Sequence, residues 1–313
     1  MMTSPSKSTT RTPVADGKKL KLHFLINISS DTENLFGIRF FSSFFKNGDE
    51  CDITLFHISR LDSKDSSESL MEVWKGPDET ATGKLKKTAQ KALNRARRNL
   101  QNNAVTINEM KTKTAQERFG KVKDILAEGS EGLYDAMILG RRATFALQWL
   151  FGRPGDEIPQ ALIQDTSLSC PLWICAEPEE GRKNVLLCVD GSECSMRAAD
   201  HVGYILSHTP EHHVTIFHVT TTLDKKGQNI IDKAAKILHS HKIKNERIHK
   251  KTSWGLSVSG AIITEKNSGR YAAVAIGLQG NRKGGLLSGI GLNGETAATL
   301  INKISKAALW ICP

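Results

Sequence analysis

The sequence predicts an α/β fold built twice: two tandem five-stranded parallel-sheet domains, helices on both faces, packed as an intramolecular pseudo-dimer. Three observations predict it. Leu-Trp-Ile-Cys occurs at 172–175 and again at 309–312, and a glycine, Gly140 or Gly277, stands 33 residues before each tryptophan. Each glycine closes a similar run, Gly132-Leu-Tyr-Asp-Ala-Met-Ile-Leu-Gly140 and Gly269-Arg-Tyr-Ala-Ala-Val-Ala-Ile-Gly277. Upstream, Phe24-Leu-Ile-Asn-Ile28 precedes Phe56-His57-Ile58 by the same interval that separates Val185-Leu-Leu-Cys-Val189 from Phe217-His218-Val219. A repeat of this length means two copies of one unit. Finally, short continuous apolar runs alternate with segments of helical periodicity, the pattern of a parallel sheet buried on both faces.

In the first copy, strands are expected at 22–28, 53–58, 105–110, 136–139 and 172–175. The second and third are separated by an enlarged insert. Its polar part, 59–72, reads as a loop. Its later part, 79–101, reads as a basic helix carrying Lys84, Lys86, Lys87, Lys91, Arg95, Arg97 and Arg98. A charge run of this kind is ordinarily a solvated face. Pro178, Gly181 and a charge cluster mark a linker over 177–183, dividing a domain at 20–177 from one at 182–313.

The second copy opens with an apolar strand, 184–189. The turn Asp190-Gly191-Ser192 follows, and its serine can cap a helix running to about 207. A strand at 214–219 leads to a helix at 229–241 with Ile230, Ala234, Ile237 and Leu238 on one face. A strand at 247–252, a helix at 258–267 and a strand at 271–276 come next, then a glycine-rich loop, a helix at 295–303 and a closing strand at 308–312. Both final strands are equally apolar, and an unpaired apolar edge invites aggregation. They are therefore expected side by side, with Leu172 and Ile174 facing Leu309 and Ile311.

At 313 residues, 39% hydrophobic and 24% charged, the composition is that of soluble globular domains, and no run approaches a membrane span. Residues 1–19 are rich in Ser, Thr and Lys without a signal-type apolar core; they read as a disordered tail, with organelle targeting the weaker reading. Six cysteines do not make a disulfide framework for two large domains, so reduced thiols in a cytoplasmic protein are expected. Residues 1–180 carry 25 Lys+Arg against 24 Asp+Glu, whereas 181–313 carry 18 against 9. This second-half excess is either a solvated surface or the footprint of an anionic ligand or partner.

Ligands of open parallel sheets bind beyond the carboxyl ends of the strands, where strand order reverses. Asp190, Val219 and the loop 277–294 reach that edge in the second copy. Seven glycines in those 18 residues let backbone N–H groups approach an anion, the following helix favours phosphate at its N-terminus, and Arg282 and Lys283 add positive charge.

Val-Asp-Gly-Ser after the first strand, His-Val after the second, and Gly277-x-x-Gly280 leading to a further glycine after the fourth resemble the universal stress protein family, over nearly the whole chain as two tandem domains. The resemblance implies adenine-nucleotide α-hydrolase-like domains binding ATP or AMP, with magnesium optional. It places Asp190 and the Val219 backbone at the base and ribose, and Gly277 and Gly280 at the ribose and first phosphate. Asn281, Gly289, Gly291 and Thr296 complete the expected site. The family's third glycine stands nine residues beyond the second; here that count lands on Ile290, between Gly289 and Gly291, and Leu292 stands where a hydroxyl residue would follow Gly291. Thr296 and Ser288 are the candidate substitutes. In the first copy Ser29 replaces Asp190, and Gly140-Arg141-Arg142-Ala143 replaces Gly-x-x-Gly, beside the bulky Trp149 and Phe151. Arg141 and Arg142 could still grip a phosphate, but a degenerate copy kept for pairing is expected.

The implied function is an adenine-nucleotide-responsive binding or regulatory protein. No enzyme is expected beyond slow ATP hydrolysis, since no general base is visible. The alternative is an interaction module whose basic face docks an acidic partner; nucleic acid is not an expected partner, and homodimerisation stays open. Gly289-x-Gly291-x-x-Gly294 does not directly follow a strand and makes no separate dinucleotide site. Cys170/Cys175, Cys188/Cys194 and His239/His241 lack metal-ligand spacing. His57 and His218, at equivalent strand ends, read as satisfied sheet histidines, and Ser192 as a cap rather than a nucleophile.

Overall fold

The computed structural model describes residues 21–29, 35–45, 51–59, 79–102, 107–141, 168–220, 226–278 and 295–313. They form, in order, β1 (Leu22–Asn27), α1 (Phe36–Phe44), β2 (Cys51–Ser59), α2 (Glu79–Asn102), β3 (Ile107–Gln116), α3 (Lys121–Glu131), β4 (Ala136–Gly140) and β5 (Leu172–Cys175). There follow β6 (Asn184–Cys188), α4 (Glu193–His208), β7 (Val214–Thr220), α5 (Lys226–Ser240), β8 (Ile248–Trp254), α6 (Val258–Ser268), β9 (Tyr271–Gly277), α7 (Glu295–Lys303) and β10 (Ala308–Cys312).

All ten strands share one sheet, in the order β3-β2-β1-β4-β5-β10-β9-β6-β7-β8. The two halves thus have the same strand order, read inward from their outer edges. Neighbours are parallel throughout except at the central seam, where β5 and β10 run antiparallel. There Trp310 lies opposite Trp173, Leu309 opposite Ile174 and Ile311 opposite Leu172. Side chains alternate across a strand, so the tryptophans share one face and the leucines and isoleucines the other. The two indoles stack 4.0 Å apart at an interplanar angle of 6°, both fully buried. Burial of each large apolar side chain here contributes on the order of 2 kcal/mol.

Two cores result, one on each face. Trp173 and Trp310 join the core under α1, α2, α4 and α5. Leu172, Ile174, Leu309 and Ile311 join the other, under α3, α6 and α7. In α2, Ala89, Ala92, Leu93, Ala96 and Leu100 recur at helical spacing and are buried, while Lys87, Lys91, Arg95, Arg97 and Arg98 are exposed. These five basic residues form a solvated face.

Sequence and structure differ in three places, and in the first half helices α1 and α3 fill positions for which the shared plan predicts helices without giving bounds. Phenylalanine-rich α1 has strand-like propensity, but packing overrides it: Phe40, Phe41 and Phe44 are turned into the core around Trp173. The third strand, expected at 105–110, runs on to Gln116, and β8, expected at 247–252, runs on to Trp254. Both are outer strands of the sheet, where polar residues such as Lys111 to Thr114 are tolerated on either face and no apolar alternation marks the strand. His241 lies just beyond α5 rather than on it, before Lys242, whose φ of 64° ends the helix. The tail 1–19 and all but the first residue of the polar insert 59–72 lie outside the described residues.

Candidate functional site

The strand order reverses between β9 and β6, because the chain leaves β6 for α4 on one face and β9 for α7 on the other. Asp190 follows β6 at this crevice, Gly277 ends β9, and Val219 lies one residue from the end of β7. All three are partly buried. Thr296, also half-buried, sits in the first turn of α7. Gly280, Asn281, Gly289 and Gly291 lie outside the described residues, as do Arg282, Lys283, Ser288 and Leu292.

The turn after β6 is tightly specified. Ser192 donates to Asp190 Oδ1 through its backbone N–H at 3.0 Å and its hydroxyl at 2.6 Å. Ser192 Oγ in turn accepts from Ser195 N at 3.1 Å, capping α4. The helix start therefore has a cap, and the cap is oriented by the aspartate. Gly191 adopts φ 84°, a conformation open to glycine and strained for most residues. So Asp190 has a structural duty at Oδ1 that sequence reasoning did not foresee, and Ser192 is a cap as expected.

Gly277 likewise has a packing reason. A Cβ placed there would lie 2.6 Å from both the Cys194 carbonyl carbon and Ser195 N. The first turn of α4 rests directly on the end of β9, and only glycine admits it. Among the described residues, the equivalent Gly140 has nothing closer than 3.9 Å to such a Cβ.

Below this edge, His218 Nδ1 donates to the carbonyl of Val189 at 2.7 Å, and His57 Nδ1 donates to that of Ile28 at the same distance. Both rings are buried, and burial pushes the His57 pKa down. Each ties the ends of two neighbouring strands together. The satisfied-histidine reading holds.

The first half is arranged differently. Ser29 stands where the second half has Asp190. Arg141 donates to the carbonyl of Asn302 at 2.6 Å, near the C-terminal end of α7 across the seam. This guanidinium serves a helix terminus, a favoured place for a cation. Ala143, Arg142, Trp149 and Phe151 lie outside the described residues.

All six cysteines are free and buried, and burial raises the thiols of Cys170 (to about 12), Cys175, Cys188 and Cys312, leaving them unreactive. Among the described residues, no cluster of three or more His, Cys, Asp or Glu could hold a metal. His239 Nδ1 bonds the carbonyl of Ile243 at 2.9 Å, and His241 Nε2 bonds Asp200 at 2.7 Å. No described helix is long and apolar enough to cross a membrane.

A paired network at the opposite, amino end of the strands escaped sequence reasoning. Tyr134 donates to Glu128 at 2.9 Å and Glu128 pairs with Lys113 at 2.5 Å; Tyr271 donates to Glu265 at 2.8 Å and Glu265 pairs with Lys251. Both glutamates are buried, and burial pushes both tyrosines up to about 12. The available signal was the recurrence of Glu six residues before Tyr in both copies.

No protein-family model matches the chain, and no curated protein matches it. Three solved structures are similar in backbone. A universal stress protein in complex with cAMP is 20% identical, covers 42% of this chain and 95% of its own, and has a TM-score of 0.34. A functionally unknown protein from Pseudomonas aeruginosa PAO1 is 15% identical over 94% of this chain and 93% of its own, with a TM-score of 0.49. A candidate universal stress protein from Pseudomonas aeruginosa UCBPP-PA14 is 16% identical over 94% of both, with a TM-score of 0.46.

Proposed function

We propose that this chain is a tandem universal-stress-type protein that binds one adenine nucleotide, ATP or AMP, at the carboxyl edge of its second half. It acts as a nucleotide-responsive regulatory or stress-response protein in the cytoplasm rather than as a turnover enzyme. The observation that carries this reading is that Asp190 follows β6 and Gly277 ends β9 at the β6–β9 switch point, where open α/β sheets take ligands, with Val219 near the same end of the adjacent β7. The cationic excess of the second half supports it. Residues 20–177 and 182–313 are read as two domains paired through β5 and β10, with the first domain kept for that pairing. Ser29 and the engagement of Arg141 with Asn302 both support one nucleotide per chain rather than two.

Titration calorimetry of the full chain with AMP and ATP tests this. A stoichiometry near one is expected. Asp190→Asn keeps an Oδ1 acceptor for the turn, so its folding should be near wild type. Loss of the charged acceptor should weaken binding by about 1–3 kcal/mol, roughly 5- to 150-fold. Absence of binding at millimolar nucleotide would discard the reading and leave the basic-face interaction module in its place. A stoichiometry of two would discard the asymmetry.

A further inference from the structure

A cleft of about 640 Å³ opens at the amino end of the first half, on the α3 face, far from the carboxyl edge just described. It is lined by His23 of β1, Thr54 of β2, Lys111, Thr112 and Lys113 of β3, and Gly132, Leu133 and Tyr134 before β4. Its volume lies within the ~300–1,000 Å³ range of small-molecule sites. We infer that this cleft binds a small aromatic carboxylate, with the flat apolar body against His23, Tyr134 and Leu133 and the carboxylate at Lys111.

Each part of that ligand answers an observation. The rings of His23 and Tyr134 lie 4.7 Å apart at 57°, giving the cleft an aromatic floor, and His23 Nε2 is held by Thr54 Oγ1 at 3.0 Å. Gly132 is required for this floor: a Cβ there would lie 2.0 Å from the Tyr134 ring. Leu133, at 75% exposed, is a large apolar side chain left in water at the rim. Among the described residues, the lining holds two lysines and no carboxylate. Lys113 is committed to the buried Glu128. Among the described residues, Lys111 pairs only with Glu109, at 3.0 Å and with both side chains more than half exposed. Such a surface pair contributes about 0–1 kcal/mol, so Lys111 exchanges it readily for a ligand carboxylate.

The repeat adds an internal comparison. The second half keeps the Thr215, Tyr271, Glu265 and Lys251 counterparts, but carries Asn184 in place of His23 and Arg270 in place of Leu133. The shared Thr, Glu and Lys are therefore scaffold, and the shared tyrosine is flanked by His23 and Leu133 in the first half but by Asn184 and Arg270 in the second. The His23 ring and the exposed leucine that would contact an aromatic body occur in the first half alone.

The probe is 2-naphthoate, with 2-naphthalenemethanol as its uncharged counterpart, titrated into the full chain and read by NMR shifts of His23, Thr54 and Tyr134. Saturable shifts are expected at ~1 mM or tighter for the carboxylate, and weaker binding for the alcohol. Lys111→Glu should weaken the carboxylate about tenfold and the alcohol less than twofold, whereas Leu133→Glu should weaken both. Both positions are exposed, so folding is not at stake. Saturating AMP should leave these shifts in place, separating this site from the proposed nucleotide site. No saturable shift at ~10 mM, equal binding of carboxylate and alcohol, or binding retained in the double variant would overturn the inference.

Discussion

Gly140 and Gly277 occupy the same place in the repeat, yet their replacement by alanine should have opposite effects. At Gly277 the added methyl would lie 2.6 Å from two backbone atoms of α4 and 2.8 Å from Cys194 Cβ. Backbone cannot rotate away as a side chain can, so the first turn of α4 must retreat by roughly 1 Å. That turn is pinned by the Ser192 cap and by Ala198, Ala199 and Val202, all fully buried. Overpacking of this kind costs about 1–3 kcal/mol, offset by about 0.4–1 kcal/mol from the lower entropy of the unfolded chain. Gly277→Ala should therefore destabilise by a net 1–2 kcal/mol or so. At Gly140 the nearest atoms among the described residues are 3.9 Å away, so the entropic gain should dominate and the variant should be neutral to slightly stabilised. With a urea slope of about 2 kcal/mol/M, the midpoint falls by roughly 0.5–1 M for Gly277→Ala and holds or rises for Gly140→Ala. Equal shifts in the two variants, or an unchanged midpoint for Gly277→Ala, would refute the packing account.

Trp310→Lys would place a charge in a fully buried ring stack at the seam, where removal of the indole alone costs about 3–5 kcal/mol; the expected result is a chain unfolded or aggregated at 37 °C, and a near-native urea midpoint would contradict it. Acid should destabilise through two histidines. Burial holds His201 down to about 3 and His212 down to about 4, from 6.5, so the folded state binds fewer protons than the unfolded state between those values. Their contribution is complete above pH 6.5 and drains as pH falls through the folded values, by at most about 2 kcal/mol each between pH 6.5 and 5. His201→Phe, copying Phe40 at the equivalent place, should remove about half of that pH dependence in urea melts at pH 7 and 5; an undiminished dependence would rule His201 out as its source. The same variant strips Trp173 Nε1 of its acceptor, now at 3.0 Å, and should shift tryptophan emission without exposing the seam.

The repeat was legible because both copies bury their strands on two faces, and such strands must be short apolar runs wherever they occur. That reasoning placed β1, β2, β4 to β7, β9 and β10 to within a few residues, and it brought Asp190, Val219 and Gly277 to one edge. Periodicity is informative only where one side of an element meets water and another does not. Outer strands β3 and β8 therefore looked polar and short, and the phenylalanine-rich α1 gave no helical signal that its composition did not obscure.

What only the tertiary structure decided is how individual side chains are used. Asp190 Oδ1 belongs to the turn that caps α4, Gly277 makes room for that helix, and Arg141 reaches a carbonyl 161 positions away. The Lys113–Glu128–Tyr134 network and its copy join residues from a strand, a helix and a loop. A linear sequence records which residue types are present and at what spacing, because those follow from local geometry. It does not record which partner a donor meets, because that depends on where the sheet and helices bring distant segments within about 3 Å of one another.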